Sequence, residues 1–171
     1  MGLLDRLRRR LPDSARPALG PEERVVAWAT TSAGGYVVVT NHGLWLLDAE
    51  SRLGWHEIHK AVWSGRALTV SPARRVDVDG PVPVYADAAP VSHTLLDPDR
   101  VPVQVRDRVT RSVAYSSHHP VPGVRVVARR IPGTDGLTWA VRYDEGVDPA
   151  APEVQQATAD LVAQARAEIG E

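Results

Sequence analysis

The sequence predicts an α+β chain: an antiparallel sandwich or barrel of short strands with an amphipathic helix against it, then a β-hairpin and a last helix. Three observations carry this. Valine-rich runs alternate with tight turns at a spacing of roughly 8–12 residues, the rhythm of an antiparallel meander. Val101, Val105, Val109 and Val113 then recur every four residues and share one helical face. Beyond them, VRVVARRI and LTWAVRYD flank the turn Pro132-Gly133-Thr134-Asp135-Gly136, and an amphipathic segment follows.

Taken in order, residues 1–11 (MGLLDRLRRRL) read as a short amphipathic helix. Leu3, Leu4, Leu7 and Leu11 lie on one side, and Arg6, Arg8, Arg9 and Arg10 cover the rest. About ten residues do not hold a helix alone in water, so this segment needs a surface to lie on. Residues 12–22 carry three prolines and a glycine and read as a linker. RVVAWATTS and YVVVTNH form a hairpin around Ala33-Gly34-Gly35. GLWLLD, RLGWHEI, AVWSG and RALTVS supply four further strands. RRVDVDG alternates like an edge strand, and PVPVYADAAP, with three prolines, runs along an edge or loop. HTLLD is a short closing strand. Asp97 or Asp99 can cap a helix over 100–117, with Pro102 tolerated in its first turn and the valine stripe against the sheet. A final helix spans about 151–169 after Asp148 and Pro149, with Val154, Ala157, Leu161, Ala165 and Ile169 on one face.

At 171 residues the chain suits one compact domain with a small extension. There is no cysteine, which excludes disulfides and cysteine-ligated metals. No apolar run approaches the roughly 20 residues that span a bilayer, and no apolar stretch follows the charged N-terminus as in a secretory signal. These features predict a cytoplasmic protein, able to sit peripherally at the inner face of the membrane. Basic residues are 19 arginines against the single Lys60, phenylalanine is absent and Asn41 is the one asparagine. That bias is what GC-rich coding leaves, so part of the arginine content reports the genome. With no phenylalanine, bulky core volume falls to the tryptophans, and Trp28, Trp45, Trp55 and Trp63 are expected between sheet and helix.

Four phrases carry a family resemblance: EERVVAWA (22–29), VVTNHGLW (38–45), GWHEIHKAVW (54–63) and RALTV (66–70). With about seven short strands and one amphipathic helix, residues 23–118 resemble the bacterial members of the pleckstrin-homology-like (PH-like) barrel superfamily. The whole chain is similar to uncharacterised actinobacterial proteins of that type. The resemblance implies a strongly bent antiparallel barrel or sandwich, capped by the helix, with 119–171 as an extension packed on it. Its motifs are packing signals and carry no information about activity. PH domains that bind phosphoinositides use basic residues after the first strand. The corresponding loop here, Thr31 to Tyr36, has none, so inositol lipids are not expected.

No constellation in the sequence points to an enzyme, and no cofactor is expected. His56-Glu57-Ile58-His59 is one residue short of H-E-x-x-H, and on a strand the two histidines would face opposite ways, so no metal is expected there or at His118-His119. The turns lack phosphate-loop spacing. Charge is more informative. Residues 100–130 hold seven arginines and one acid, whereas 131–171 is acidic. Either the basic helix faces the acidic segment, or Arg106, Arg108 and Arg111 meet an anion. Nucleic acid is a poor fit, because aromatics do not interleave with the arginines. The reading favoured by sequence is a non-catalytic interaction module for a protein partner, received at an exposed edge strand or at the open end of the barrel. A second is a peripheral membrane adaptor held by Leu3, Leu4, Leu7 and Leu11 with Arg6, Arg8, Arg9 and Arg10. A third is an anion or nucleic-acid binder using Arg106, Arg108 and Arg111 in the arginine-rich segment 100–130.

Overall fold

The computed structural model describes residues 10–46 and 51–170. The first antiparallel sheet takes strands in chain order: β1 (Val25–Thr30), β2 (Tyr36–Thr40), β3 (Gly43–Trp45) and the two-residue β4 (Leu53–Gly54). Gly43 is obligatory: a Cβ there would stand 2.2 Å from the Leu53 carbonyl oxygen across the β3–β4 pair. A 3-10 turn, Trp55–Glu57, leads into β5 (Ile58–Trp63), which pairs with the ten-residue β6 (Ala67–Val76). Strand β8 (Val91–Thr94) pairs with the first half of β6. The barrel is drawn shut where the Ser32 N–H donates to the Thr94 carbonyl and the Leu96 N–H to that of Thr30.

Helix α1 (Val101–Ser112) stoppers this barrel, as expected. Val101 and Val105 are fully buried among Ala27, Ala29, Val37, Leu44 and Val70, and Val109 joins them. The helix stops at Ser112 rather than continuing to 117. Ser112 turns its hydroxyl onto the Val109 carbonyl, which weakens continuation. Val113–His118 then becomes strand β9, pairing with β10 (Val124–Arg129). Strand pairing across the sheet outweighs a fourth valine on the helical stripe.

Period-2 alternation places the tryptophans differently from expectation. Trp55 sits in the helix-facing core, with Trp63 partly buried beside it. Ala27 and Ala29 point inward from β1 and Leu44 from β3, so their neighbours Trp28 and Trp45 point outward. There they form a smaller cluster with Val38, Tyr36, Ala15 and Leu11. The proline-rich segment is therefore packed on the barrel's outer face, with a 3-10 turn at Asp13–Ala15. The lone asparagine fastens it: Asn41 accepts from the Arg24 N–H at 2.7 Å and donates to the Glu22 carbonyl at 3.1 Å.

The second half of β6 opens a further layer. Strand β7 (Val84–Asp87) pairs with β6 on one side and, in parallel, with β11 (Thr138–Tyr143) on the other. The segment PVPVYADAAP thus supplies an interior strand instead of an edge: its prolines flank residues 84–87 and none falls within them. The sheet runs β5-β6-β7-β11-β10-β9. Its far face packs on helix α2 (Pro152–Ile169) through Val84, Val124, Val126, Val141 and Tyr143 against Val154, Ala157, Leu161 and Ala165. Pro152 occupies the first turn, and Gly170 ends the helix at φ 87°. Ile169, expected on the buried face, is half exposed at that fraying end. The result is the α+β architecture expected, a strongly bent antiparallel barrel capped by a helix, with a C-terminal hairpin and helix. Strands β7 and β9 also belong to the sheet of the C-terminal layer, so that sheet runs across the boundary read at residue 118.

Candidate functional site

The face of the second sheet turned away from α2 is polar. Alternation along β10 puts Arg125, Val127 and Arg129 there, β11 adds Thr138, Ala140 and Arg142, and β7 adds Tyr85 and Asp87. The bend in β6 folds the start of β5 over this face. A cavity of about 130 Å³ lies in the seam, lined among others by His56, His59, Tyr85, Val127, Arg129 and Ala140.

The two histidines reach it together, against expectation. His56 lies in the 3-10 turn rather than on a strand, and residues three apart across such a turn share a side. The turn is pinned by the Gly54 N–H donating to Glu57 Oε2 at 2.7 Å and by Trp55 Nε1 donating to the Thr40 carbonyl at 3.2 Å.

Asp87 is the hub of one wall. Arg142 grips its carboxylate with Nε and Nη2, each at 2.9 Å, and His59 Nδ1 lies 2.6 Å from Oδ1. Burial opposes ionisation of Asp87, but the hydrogen bonds from His59 and Arg142 and the Arg142 charge outweigh it and hold the carboxyl far below its usual range. Burial pushes His59 down. Asp87 pulls it back, and the charges of Arg142 and Arg129 press it down again, so the ring is neutral and donates from Nδ1. His56 is lowered as well, first by burial and then by Arg129 and Arg52 against the pull of Glu57.

Arg129 faces these groups and is 5% exposed. Its Nη1 donates to Ser112 Oγ at 2.9 Å and approaches the Ile58 carbonyl at 3.5 Å. Its Nε and Nη2 have no hydrogen-bond partner among the described residues. Burial, then the Arg142 charge, lowers its pKa to about 10 against the pull of Asp87, which leaves it charged at neutral pH. The neighbouring arginines are matched: Arg142 with Asp87, and Arg125 with Asp144 through Nη2 at 2.6 and 2.9 Å. Among the described residues, Arg129 is the buried guanidinium of this face without a carboxylate of its own.

The residues singled out from sequence lie elsewhere. Arg106 and Arg111 are exposed on α1, and Arg108 is half-buried with Nε donating to Gln104 Oε1 at 3.3 Å. The three make no ion pair among the described residues, so α1 does not face the acidic C-terminal segment; Arg125 does, through Asp144. Burial and the charges of Arg24 and Arg111 lower Arg108, which marks a shared basic ridge. Leu11, read as part of a leucine stripe for a membrane or partner, is 4% exposed because it packs on Val38 and Trp45, and Arg10 beside it is exposed. Leu3, Leu4, Arg6, Leu7, Arg8 and Arg9 lie outside the described residues. His119 meets Asp160 at 3.2 Å, and His118 is exposed. Among the described residues, no three His, Asp or Glu side chains gather as metal ligands, and no helix is long and apolar enough to cross a membrane.

Sequence reasoning held Arg129 only as one of the arginines of segment 100–130, and it missed Arg142 and Asp87. A signal existed in VRVVARRI, where alternation places Arg125 and Arg129 on one face of a strand otherwise built of valine and alanine. No protein-family model, curated protein or solved structure matches this chain.

Proposed function

We propose that this chain is a non-catalytic binding module of the PH-like barrel type that receives an anionic group in the seam beside Arg129. One observation carries the reading: a guanidinium 5% exposed whose Nε and Nη2 have no hydrogen-bond partner among the described residues. A buried charge is costly unless it is paired and hydrogen-bonded. Water accepts hydrogen bonds but brings no charge, so an anion satisfies this group more completely. The reading moves the anion binder expected in segment 100–130 from the exposed ridge of α1 to a built pocket. The His59–Asp87 pair serves as a wall, since Arg142 already neutralises Asp87 and no hydroxyl of the described residues hydrogen-bonds His59.

The test is a titration at constant ionic strength, following the Arg129 Nε–H resonance by NMR as chloride is replaced by acetate, phosphate or sulfate. A saturable shift with one of these anions, together with a calorimetric binding signal that Arg129→Met abolishes, is the expected result. A resonance indifferent to all three would sink the reading.

A second reading, a protein partner, is favoured by strand β9. Among the described residues it ends the sheet and pairs with β10 alone, and it contains neither proline nor lysine, the residues that commonly blunt an edge. A partner segment added there would protect amides of residues 113–118 from hydrogen exchange. If no member of a random extended-peptide library protects them, strand addition at β9 is excluded.

A further inference from the structure

We infer that the group received beside Arg129 is the carboxylate of a small monocarboxylic acid, an assignment that rests on the anion-binding reading above.

The first argument is geometric and comes from the same face of the sheet. The unpartnered nitrogens of Arg129, Nε and Nη2, form one edge of its guanidinium; each exposes less than 1 Å², so a ligand in the cavity that Arg129 lines meets them as the side chain turns toward it. Arg142 uses that same edge to hold Asp87, each nitrogen on a carboxylate oxygen at 2.9 Å. Two parallel donors match the two coplanar oxygens of a carboxylate. The second argument is charge. Apart from Glu57, which stands exposed at the rim and is screened by solvent, Arg142 and Arg125 each have a carboxylate, the histidines are neutral, and buried Arg129 leaves a single positive charge inside. A monoanion closes that balance, whereas a dianion overshoots it in a buried place with Asp87 close by. The third is size and wall chemistry. About 130 Å³ is room for roughly four waters at ~30 Å³ each. An acid of two to four carbons fills it. Val127 and Ala140 are both buried there and offer an apolar wall to a short alkyl tail. The exposed Glu57 and Thr138 line it too and mark the way in from solvent, and Glu57 adds a negative charge against highly charged ligands.

The experiment is a competition at constant ionic strength near pH 7, read by calorimetry and by the Arg129 Nε–H resonance. Formate, acetate, propionate and butyrate are compared with phosphate, sulfate and a tripeptide with a free C-terminus. Propionate or butyrate should bind at least tenfold more tightly than phosphate or sulfate. Arg129→Lys, which keeps the charge and loses the fork, should weaken propionate at least tenfold while leaving the far-UV circular dichroism unchanged. Phosphate or sulfate binding as tightly as propionate, with the Arg129 resonance shifting, would overturn the carboxylate assignment and leave the anion reading standing. A tripeptide that binds tenfold more tightly than propionate would overturn the small acid. If Arg129→Lys does not fold, Thr138→Trp at the entrance replaces it: undiminished propionate binding in that variant overturns the pocket as the site. Silence of the resonance toward every anion is the separate failure of the underlying reading.

Discussion

Arg129 and Glu23 are both charged groups taken out of water, and they stand at opposite ends of satisfaction. Glu23 accepts from the Gly20 N–H at 2.8 Å, Thr40 Oγ1 at 2.7 Å and Trp45 Nε1 at 3.0 Å, and pairs with Arg52 at 2.8 Å. Burial raises its pKa, but those partners together outweigh burial and hold the carboxyl down to about 2. Its folded value lies below the unfolded one. The stability it contributes is therefore complete above the usual carboxylate range and is lost as pH falls from about 4.5 toward 2. Glu23→Gln should cost about 2 kcal/mol at pH 7 and flatten the acid limb of the stability profile, measured by urea unfolding between pH 2 and 7. Arg129 predicts the reverse. In chloride buffer Arg129→Met should melt no lower than wild type, because it removes an unmatched buried charge. Arg142→Met, which orphans Asp87, should cost about 3–5 kcal/mol. Equal losses for the two variants would show that Arg129 is already neutralised within the chain.

At the scale of elements, α1 was legible because its valines repeat every four residues and nothing else on the helix competes for the barrel mouth. Val105→Ala should destabilise by about 2 kcal/mol, and Val103→Ala, 60% exposed on the opposite side, by less than about 0.5 kcal/mol, both read from denaturant midpoints. The strands of the barrel were legible from valine runs and glycine turns. The candidate site was not, and the reasons are local. His56 escapes the strand pattern because three residues wind as a 3-10 turn, which hydrophobic alternation does not encode. Asp87 sits among prolines that suggest a loop, and its partner Arg142 is 55 residues away in sequence. Such pairs arise from the parallel contact of β7 with β11, a long-range pairing with no turn to announce it. The outward Trp28 and Trp45 show the same lesson in another form. Alternation was visible, but which phase faced the helix depended on the covering segment around Leu11.

At the scale of the whole molecule, one strand serves two hydrophobic cores. Residues 67–70 of β6 pair with β8 in the barrel, and residues 73–76 pair with β7 in the second layer. Unfolding should therefore be a single transition. Leu161→Ala, 3% exposed under α2, and Val105→Ala in the barrel should both lower the same midpoint, read identically by tryptophan fluorescence and far-UV circular dichroism. Two separated transitions would show that the cores melt independently. The shared strand also decides how the chain tolerates being cut. A fragment ending at residue 118 would keep β7 with its outer flank bare and β9 with nothing to lie against. We expect such a truncated product to clump on expression while the intact polypeptide stays dispersed, a contrast that light scattering of the two preparations would reveal.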